Sequence, residues 1–128
     1  MTVFITGTGS FVPQRVVTND ELAARLGLAA EQIFKSSGIR RRRWAEPGTP
    51  TSELAAAALI QAIASGHLKP EAVDYLILGT MTPDRFIPGS ASAVQKKAGL
   101  GQIPCLDIRA TCCNALYAMQ LAAALIKS

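Results

Sequence analysis

Cys105-Leu106-Asp107-Ile108-Arg109-Ala110-Thr111-Cys112-Cys113-Asn114-Ala115-Leu116-Tyr117 joins an apolar strand pattern directly to an apolar helix pattern, with no linker between them. Ile103 to Ile108 reads as a strand buried on both faces, and the helix begins near Thr111 or Cys112 and continues to the last residue. Upstream, Asp74-Tyr75-Leu76-Ile77-Leu78-Gly79 is a second short apolar run closed by a glycine, again the pattern of a buried strand. Between the two runs, a loop holding Pro83 and Pro88 leads into a small-residue helix from about Ser90 to Ala98. Buried strands that alternate with helices pair in parallel through crossovers, so the pattern predicts a layered α/β fold.

Towards the N-terminus, Pro50 precedes a helical pattern of Leu54, Ala57, Ala58, Ile60 and Ile63 that stops at Gly66. Thr18-Asn19-Asp20-Glu21 has the spacing of a capping box and starts a short helix that Gly27 closes. A second short helix spans Ala29 to Ser36 with Gly38 as its stop, and Ile39 to Trp44 reads as a polar edge segment. Val3 to Ile5 reads as a first strand ending in the turn-rich Gly7-Thr8-Gly9-Ser10. That loop is not a dinucleotide fingerprint, because Val12 stands where a third glycine is needed and Pro13 obstructs the helix that would receive a pyrophosphate. The spacing therefore disfavours a nucleotide-binding oxidoreductase.

With 49% hydrophobic and 17% charged residues, the 128-residue chain is neither a disordered tail nor a coiled coil. Lys and Arg exceed Asp and Glu by 13 to 9, but Arg40 to Arg43 supply the whole excess. The isoelectric point near 9.3 thus reflects one concentrated basic spot on a neutral chain, which argues against a nucleic-acid partner. That run is either a solvated face or a site for an anionic ligand or an acidic partner surface. No secretory leader or membrane-spanning run is evident, and three cysteines, two of them adjacent, make no disulfide framework. The expected compartment is the cytoplasm. A single histidine without Cys-x-x-Cys spacing leaves little from which to build a metal site.

A cysteine carried from a strand to the first turn of a helix meets unpaired N–H groups and the positive end of the helix dipole, which stabilise a thiolate. That makes Cys112 a candidate nucleophile, against the alternative that it packs as a small core hydrophobe; Cys113 is the competing candidate, pointing elsewhere and read as packing, and Cys105 reads as inert in its strand. The apolar surround of Ala115 to Ile126 needs cover on several sides, and the chain has few elements left to give it. The sequence accordingly reads as one cut in the middle of a core.

Four stretches in order resemble the N-terminal part of β-ketoacyl-acyl carrier protein synthase III, a condensing enzyme of the thiolase-fold superfamily. They are Gly7-Thr8-Gly9-Ser10-Phe11-Val12-Pro13 with Thr18-Asn19; Ser37-Gly38-Ile39-Arg40 with Arg42; Val73-Asp74-Tyr75-Leu76-Ile77 leading to Thr80 and Pro88; and Asp107-Ile108-Arg109-Ala110-Thr111-Cys112 with Tyr117-Ala118. The resemblance implies the N-terminal half of a layered thiolase-like fold over residues 1–128, a mixed sheet with a buried helix carrying the cysteine, and a C-terminal half absent from this chain. It implies that Cys112 takes an acyl group from acyl-coenzyme A as a thioester, and that a malonyl thioester then loses carbon dioxide and attacks it. Coenzyme A enters as substrate, and no cofactor is called for. The implied partners are acyl carrier protein or another malonyl thioester, the missing half of the protein and a second copy of it in a homodimer, with no membrane.

The histidine and asparagine that the family uses in the second step lie in its C-terminal half, and His67, on a helix-to-strand connector, does not correspond to that histidine. Arg40 and Arg42 are candidate substrate-binding residues, the functional alternative to a solvated face being a site for the phosphates of coenzyme A or the acidic surface of a carrier protein, and Ile87, a third candidate, stands beside a proline where the family meets its partner subunit and lines its acyl tunnel. Departures are equally specific. Gln32 replaces a tryptophan that stacks on adenine, Ser36 replaces an arginine, and Cys113-Asn114 replaces two small residues that commonly end in glycine. Leu106 to Ala110 is also similar to the branch that condenses aromatic acyl groups in quinolone synthesis. The competing reading from another class is a catalytically incomplete half that serves as a structural partner or is a truncation product.

Overall fold

The computed structural model describes residues 1–128, and the chain divides into two compact units, Val12–Thr49 and Met1–Phe11 with Pro50–Ser128. The smaller unit runs β1 (Arg15–Thr18), α1 (Asn19–Leu26), α2 (Ala30–Ser37) and β2 (Arg41–Trp44). Thr18 caps α1 by accepting the Glu21 N–H at 3.2 Å, and Glu21, the other end of the expected capping box, instead pairs with Arg15 at 2.7 Å. Gly27 and Gly38 close α1 and α2 at φ +67° and +69°, a left-handed conformation that glycine adopts without a Cβ penalty. β1 pairs antiparallel with β2, Arg15 opposite Trp44 and Thr18 opposite Arg41.

The larger unit holds α3 (Thr51–Ser65), β3 (Leu76–Gly79), α4 (Ala91–Lys97), β4 (Cys105–Ile108) and α5 (Asn114–Lys127). β3 and β4 pair in parallel, Leu76 beside Cys105 and Gly79 beside Ile108, with α4 in the crossover. Ala56 and Ile63 of α3, spaced by two turns, meet Ala91, Val94 and Ala98 along α4, and Leu76 and Leu100 complete the core. Small residues at these positions let α3 and α4 approach closely. Gly7 and Gly9 run against α3, where a Cβ on either would overlap the backbone of Ala58 or Ala62. Ser65 fastens the segment by donating to the Thr8 carbonyl at 2.7 Å and accepting the Thr8 N–H at 2.8 Å. The glycine pair thus serves helix packing.

The layered α/β expectation holds, with four differences. Val3 to Ile5 form no strand, because no neighbouring strand offers them an edge; Phe4 and Ile5 are three-quarters exposed. The four strands form two separate two-stranded sheets in place of one mixed sheet. β3 and β4 are only partly buried, with Leu76 the single buried residue between them. The terminal helix is not buried: none of its residues is enclosed, and Leu116, Tyr117, Met119 and Ile126 are each about half exposed or more. α5 packs on β3 along one flank and leaves its other apolar faces open, which is what an all-round apolar sequence does when one layer is present to cover it. No helix is long and apolar enough to cross a membrane.

Candidate active site

At the end of β4 the chain turns through Arg109 and Ala110 into a single 3₁₀ turn, Thr111–Cys113, and only then enters α5 at Asn114. Thr111 takes φ +49°, a left-handed conformation that costs a residue with a branched Cβ on the order of 1 kcal/mol or more. Three contacts hold it. The Asn114 side chain reaches back to accept the Ala110 N–H at 2.6 Å, the Cys113 N–H donates to the Ala110 carbonyl at 3.0 Å, and the Thr80 N–H extends the β3–β4 ladder to the Ile108 carbonyl. A sharp turn from strand to helix lifts a side chain clear of the sheet, and Cys112 is exposed there.

The structure therefore moves Cys112 from the first turn of the α-helix to the 3₁₀ turn ahead of it. It also overturns the packed role expected of Cys113, which the same turn leaves exposed. Cys105 is half-buried on β4, its thiol donating to Gln95 Oε1 at 3.3 Å. Burial, then the charge of Asp107, pushes the Cys105 thiol pKa above its usual range. In iodoacetamide labelling at neutral pH, Cys105 should therefore react last; peptide mapping that finds it alkylated together with Cys112 would contradict this placement.

Asn114 fits because Gly79 lies beneath it: a Cβ at residue 79 would sit 2.7 Å from the Asn114 Cβ. Gly79→Ala should cost about 1–3 kcal/mol. In the Asn114→Gly background, where the obstructing carbon is gone, the same change should cost far less. Urea midpoints of the four species measure the coupling, and strictly additive costs would show that the contact is absent.

Asp107 stands behind this turn. From the middle of β4 its carboxylate accepts the N–H groups of Ser90 at 2.9 Å and Ala91 at 3.1 Å, which start α4. Gly89, at φ +103°, gives it room, since a Cβ there would lie 2.5 Å from a carboxylate oxygen. The fully buried Ser90 hydroxyl accepts the Asp84 N–H at 2.7 Å, and the Asp84 carboxylate accepts the Ser52 N–H at 3.0 Å. Burial opposes the Asp84 charge, but hydrogen bonds from Ser52 and the nearby Lys97 outweigh it and hold its pKa below the usual carboxylate value. An acidic residue inside an apolar strand is the sequence signal that marks Asp107.

Ile87 is almost fully exposed in the 83–88 loop and precedes a cis proline. The Arg109 guanidinium lies 4.4 Å from the ring of the adjacent Phe86, so the loop and the end of β4 meet there. Beside them Ile108, Ala110, Tyr117, Leu121 and Ala124 line an open, mainly apolar groove of about 430 Å³.

Arg40 and Arg42 belong to the smaller unit. Arg40 stacks on Phe34 at 3.8 Å from the ring centre, and Arg42 reaches the Val17 carbonyl at 3.4 Å. The pleat of β2 half-buries Arg42 and exposes Arg41 and Arg43, so the run divides between two faces. Gln32 caps α2 by accepting the Ala29 N–H at 3.0 Å. His67 is exposed in the turn after α3.

No protein-family model matches the chain. Among curated relatives, the β-ketoacyl-[acyl-carrier-protein] synthase III of Laribacter hongkongensis is 39% identical over 124 residues, 97% of this chain and 39% of the relative. Among solved structures, 3-oxoacyl-[acyl-carrier-protein] synthase III from Aquifex aeolicus superposes with a TM-score of 0.90 at 34% identity, over 96% of this chain and 40% of that one. The Thermus thermophilus synthase III gives 0.89 at 36% identity, over 98% and 39%. The chain thus spans about two-fifths of the length of the relatives it matches. Along nearly its whole length the chain is similar, in sequence and in its thiolase-like fold, to the N-terminal part of β-ketoacyl-[acyl-carrier-protein] synthase III proteins.

Proposed function

We propose that this chain carries the acyl-accepting half of a decarboxylating condensing enzyme of fatty acid or related polyketide or quinolone synthesis. Cys112 is its nucleophile. The single observation that carries the reading is the exposed Cys112 on a braced turn between β4 and α5, in a chain whose relatives are condensing synthases. The Cys112 sulfur attacks the carbonyl carbon of an acyl-coenzyme A, the oxyanion forms against the residue's own N–H, and coenzyme A leaves as the thiol. A malonyl thioester, on acyl carrier protein in the preferred case, then loses carbon dioxide. The released electron pair forms the new carbon–carbon bond at the Cys112 thioester, and the cysteine departs as thiolate. Groups that activate the malonyl unit come from outside residues 1–128. The working protein is a cytoplasmic homodimer whose remaining portion covers the open faces of α5.

Two assays on the whole protein separate the steps. An acyl-coenzyme A alone should release one equivalent of free coenzyme A per site, and adding malonyl thioester should release carbon dioxide and form a 3-oxoacyl product. Hydride transfer to a nicotinamide with neither event would remove the reading.

Arg40 and Arg42 are assigned to the phosphates of coenzyme A or the acidic carrier. Arg40→Ala and Arg42→Ala should each raise KM about 3- to 10-fold at low salt, with kcat little changed and the difference shrinking as salt rises. Unchanged KM in both variants would leave the run as a solvated face.

A further inference from the structure

Neither α3 nor α4 caps itself. Pro50, which precedes α3, has no side-chain acceptor, and Ser90, which precedes α4, uses its hydroxyl to accept the Asp84 N–H at 2.7 Å. Both caps come from elsewhere in the chain. The Asp84 carboxylate accepts the Ser52 N–H in the first turn of α3 at 3.0 Å, and Asp107 accepts the N–H groups that start α4. Lys97 closes the arrangement from α4 by donating to the Ser52 hydroxyl at 2.8 Å. Ser52 and Ser90 are fully buried, so these bonds lie inside the larger unit and remain there whatever further chain packs on it.

The segment between β3 and α4 has no regular structure, yet it is tied at Thr82 and Asp84 to α3 and at Ser90 to β4. Its place matters because β3 and β4 are parallel and in register, so this segment and the Cys112 turn leave the same edge of the sheet. In parallel α/β sheets, ligands bind outside the carboxyl ends of the strands. Two contacts make segment and turn neighbours: the Thr80 N–H donates to the Ile108 carbonyl at 3.3 Å, and the Phe86 ring lies 4.4 Å from the Arg109 guanidinium.

We propose that Asp84 is a positioning residue for the acyl donor: by capping α3 from the loop it fixes residues 83–88 at the carboxyl edge of the sheet, where they border the space for the acyl chain and set which acyl-coenzyme A donors react. The anchoring stands on the hydrogen bonds alone, and its effect on the donor rests on the acyl-transfer reading. A wall held in one place discriminates between chain lengths; one that is released admits good and poor donors more equally.

The test uses the whole protein and straight-chain acyl-coenzyme A donors of two to ten carbons. Coenzyme A release gives kcat/KM for each donor, and hydrogen exchange of the peptide covering residues 80–90 reports the anchoring. Asp84→Ala should shrink the ratio between the best and the worst donor about fivefold or more and speed exchange about tenfold. Asp84→Asn, which keeps an acceptor for the Ser52 N–H, should bring both back to within about twofold of wild type. Ile63→Val, which loosens α3 in its core away from the loop, should leave the ratio unmoved. Should the alanine variant be recovered unfolded, Asp84→Ser, whose hydroxyl stops short of the Ser52 N–H, carries the same expectations. Exchange within about twofold of wild type in Asp84→Ala would overturn the anchoring, and faster exchange with an unmoved ratio would overturn the role in donor choice. A wild type that releases no coenzyme A would instead remove the acyl-transfer reading, and with it the donor choice, while exchange still decides the anchoring.

Discussion

Cys112→Ser should lower acyl transfer by the whole protein on the order of 10³-fold or more, with no matching loss of stability. A serine hydroxyl at that position has to lose a proton far less acidic than a thiol's before it attacks, and the turn provides no base for it: the side chains nearest in the chain are Thr111, Cys113 and Asn114. Asn114 is engaged with the Ala110 N–H. Because residue 112 is exposed and its side chain braces nothing, the melting temperature should move by no more than a degree or two, within the range of ordinary surface substitutions. Coenzyme A release and thermal melting of the same preparation give both answers. Activity within tenfold of wild type would remove Cys112 from the mechanism. Lost activity with a large fall in melting temperature would reassign it to structure.

Asp107→Ala should be the most damaging of the supporting substitutions, at about 3 kcal/mol or more. The carboxylate accepts two backbone N–H groups at the start of α4, beside the fully buried Ser90 and Ala91. Those donors have no water to turn to when it is removed. Asp107→Asn keeps one acceptor oxygen but loses the charge and should cost roughly half as much. Since β4 runs from Asp107 to the turn that holds Cys112, the alanine variant should also lose acyl transfer, and cooling should restore part of it as the folded population recovers. Equilibrium unfolding in urea checks the energies. A loss below about 1 kcal/mol would mean that solvent reaches Ser90 and Ala91 after all.

The caps and stops of the fold were legible because their chemistry is local. Thr18, Gly27, Gly38, Gly66 and the residues flanking Pro50 mark helix ends through bonds that span three or four residues. β1 was not legible: Val16 and Val17 are two apolar residues among polar ones, and they become a strand only by pairing with an arginine-rich segment some 25 residues away. Val3 to Ile5 show the reverse case, where good strand residues stay single for want of an edge. At the site, Cys112 stood out because an apolar strand leads straight into an apolar helix. The left-handed Thr111, which delays the helix to Asn114 and turns Cys113 outward, has no local sequence signature. Asn114 looked like a departure from a small-residue motif. Its function appears only with Gly79, which comes from a different strand.

The most direct measurement is the site of acylation. The whole protein would be incubated with an acyl-coenzyme A in the absence of malonyl thioester, quenched in acid and digested, and the acylated peptide sequenced by mass spectrometry. One acyl group per chain, on Cys112, is the expected result, with Cys105 and Cys113 unmodified. An acyl group on Cys113 in place of Cys112, or none on any cysteine while coenzyme A is still released, would contradict the assignment of the nucleophile.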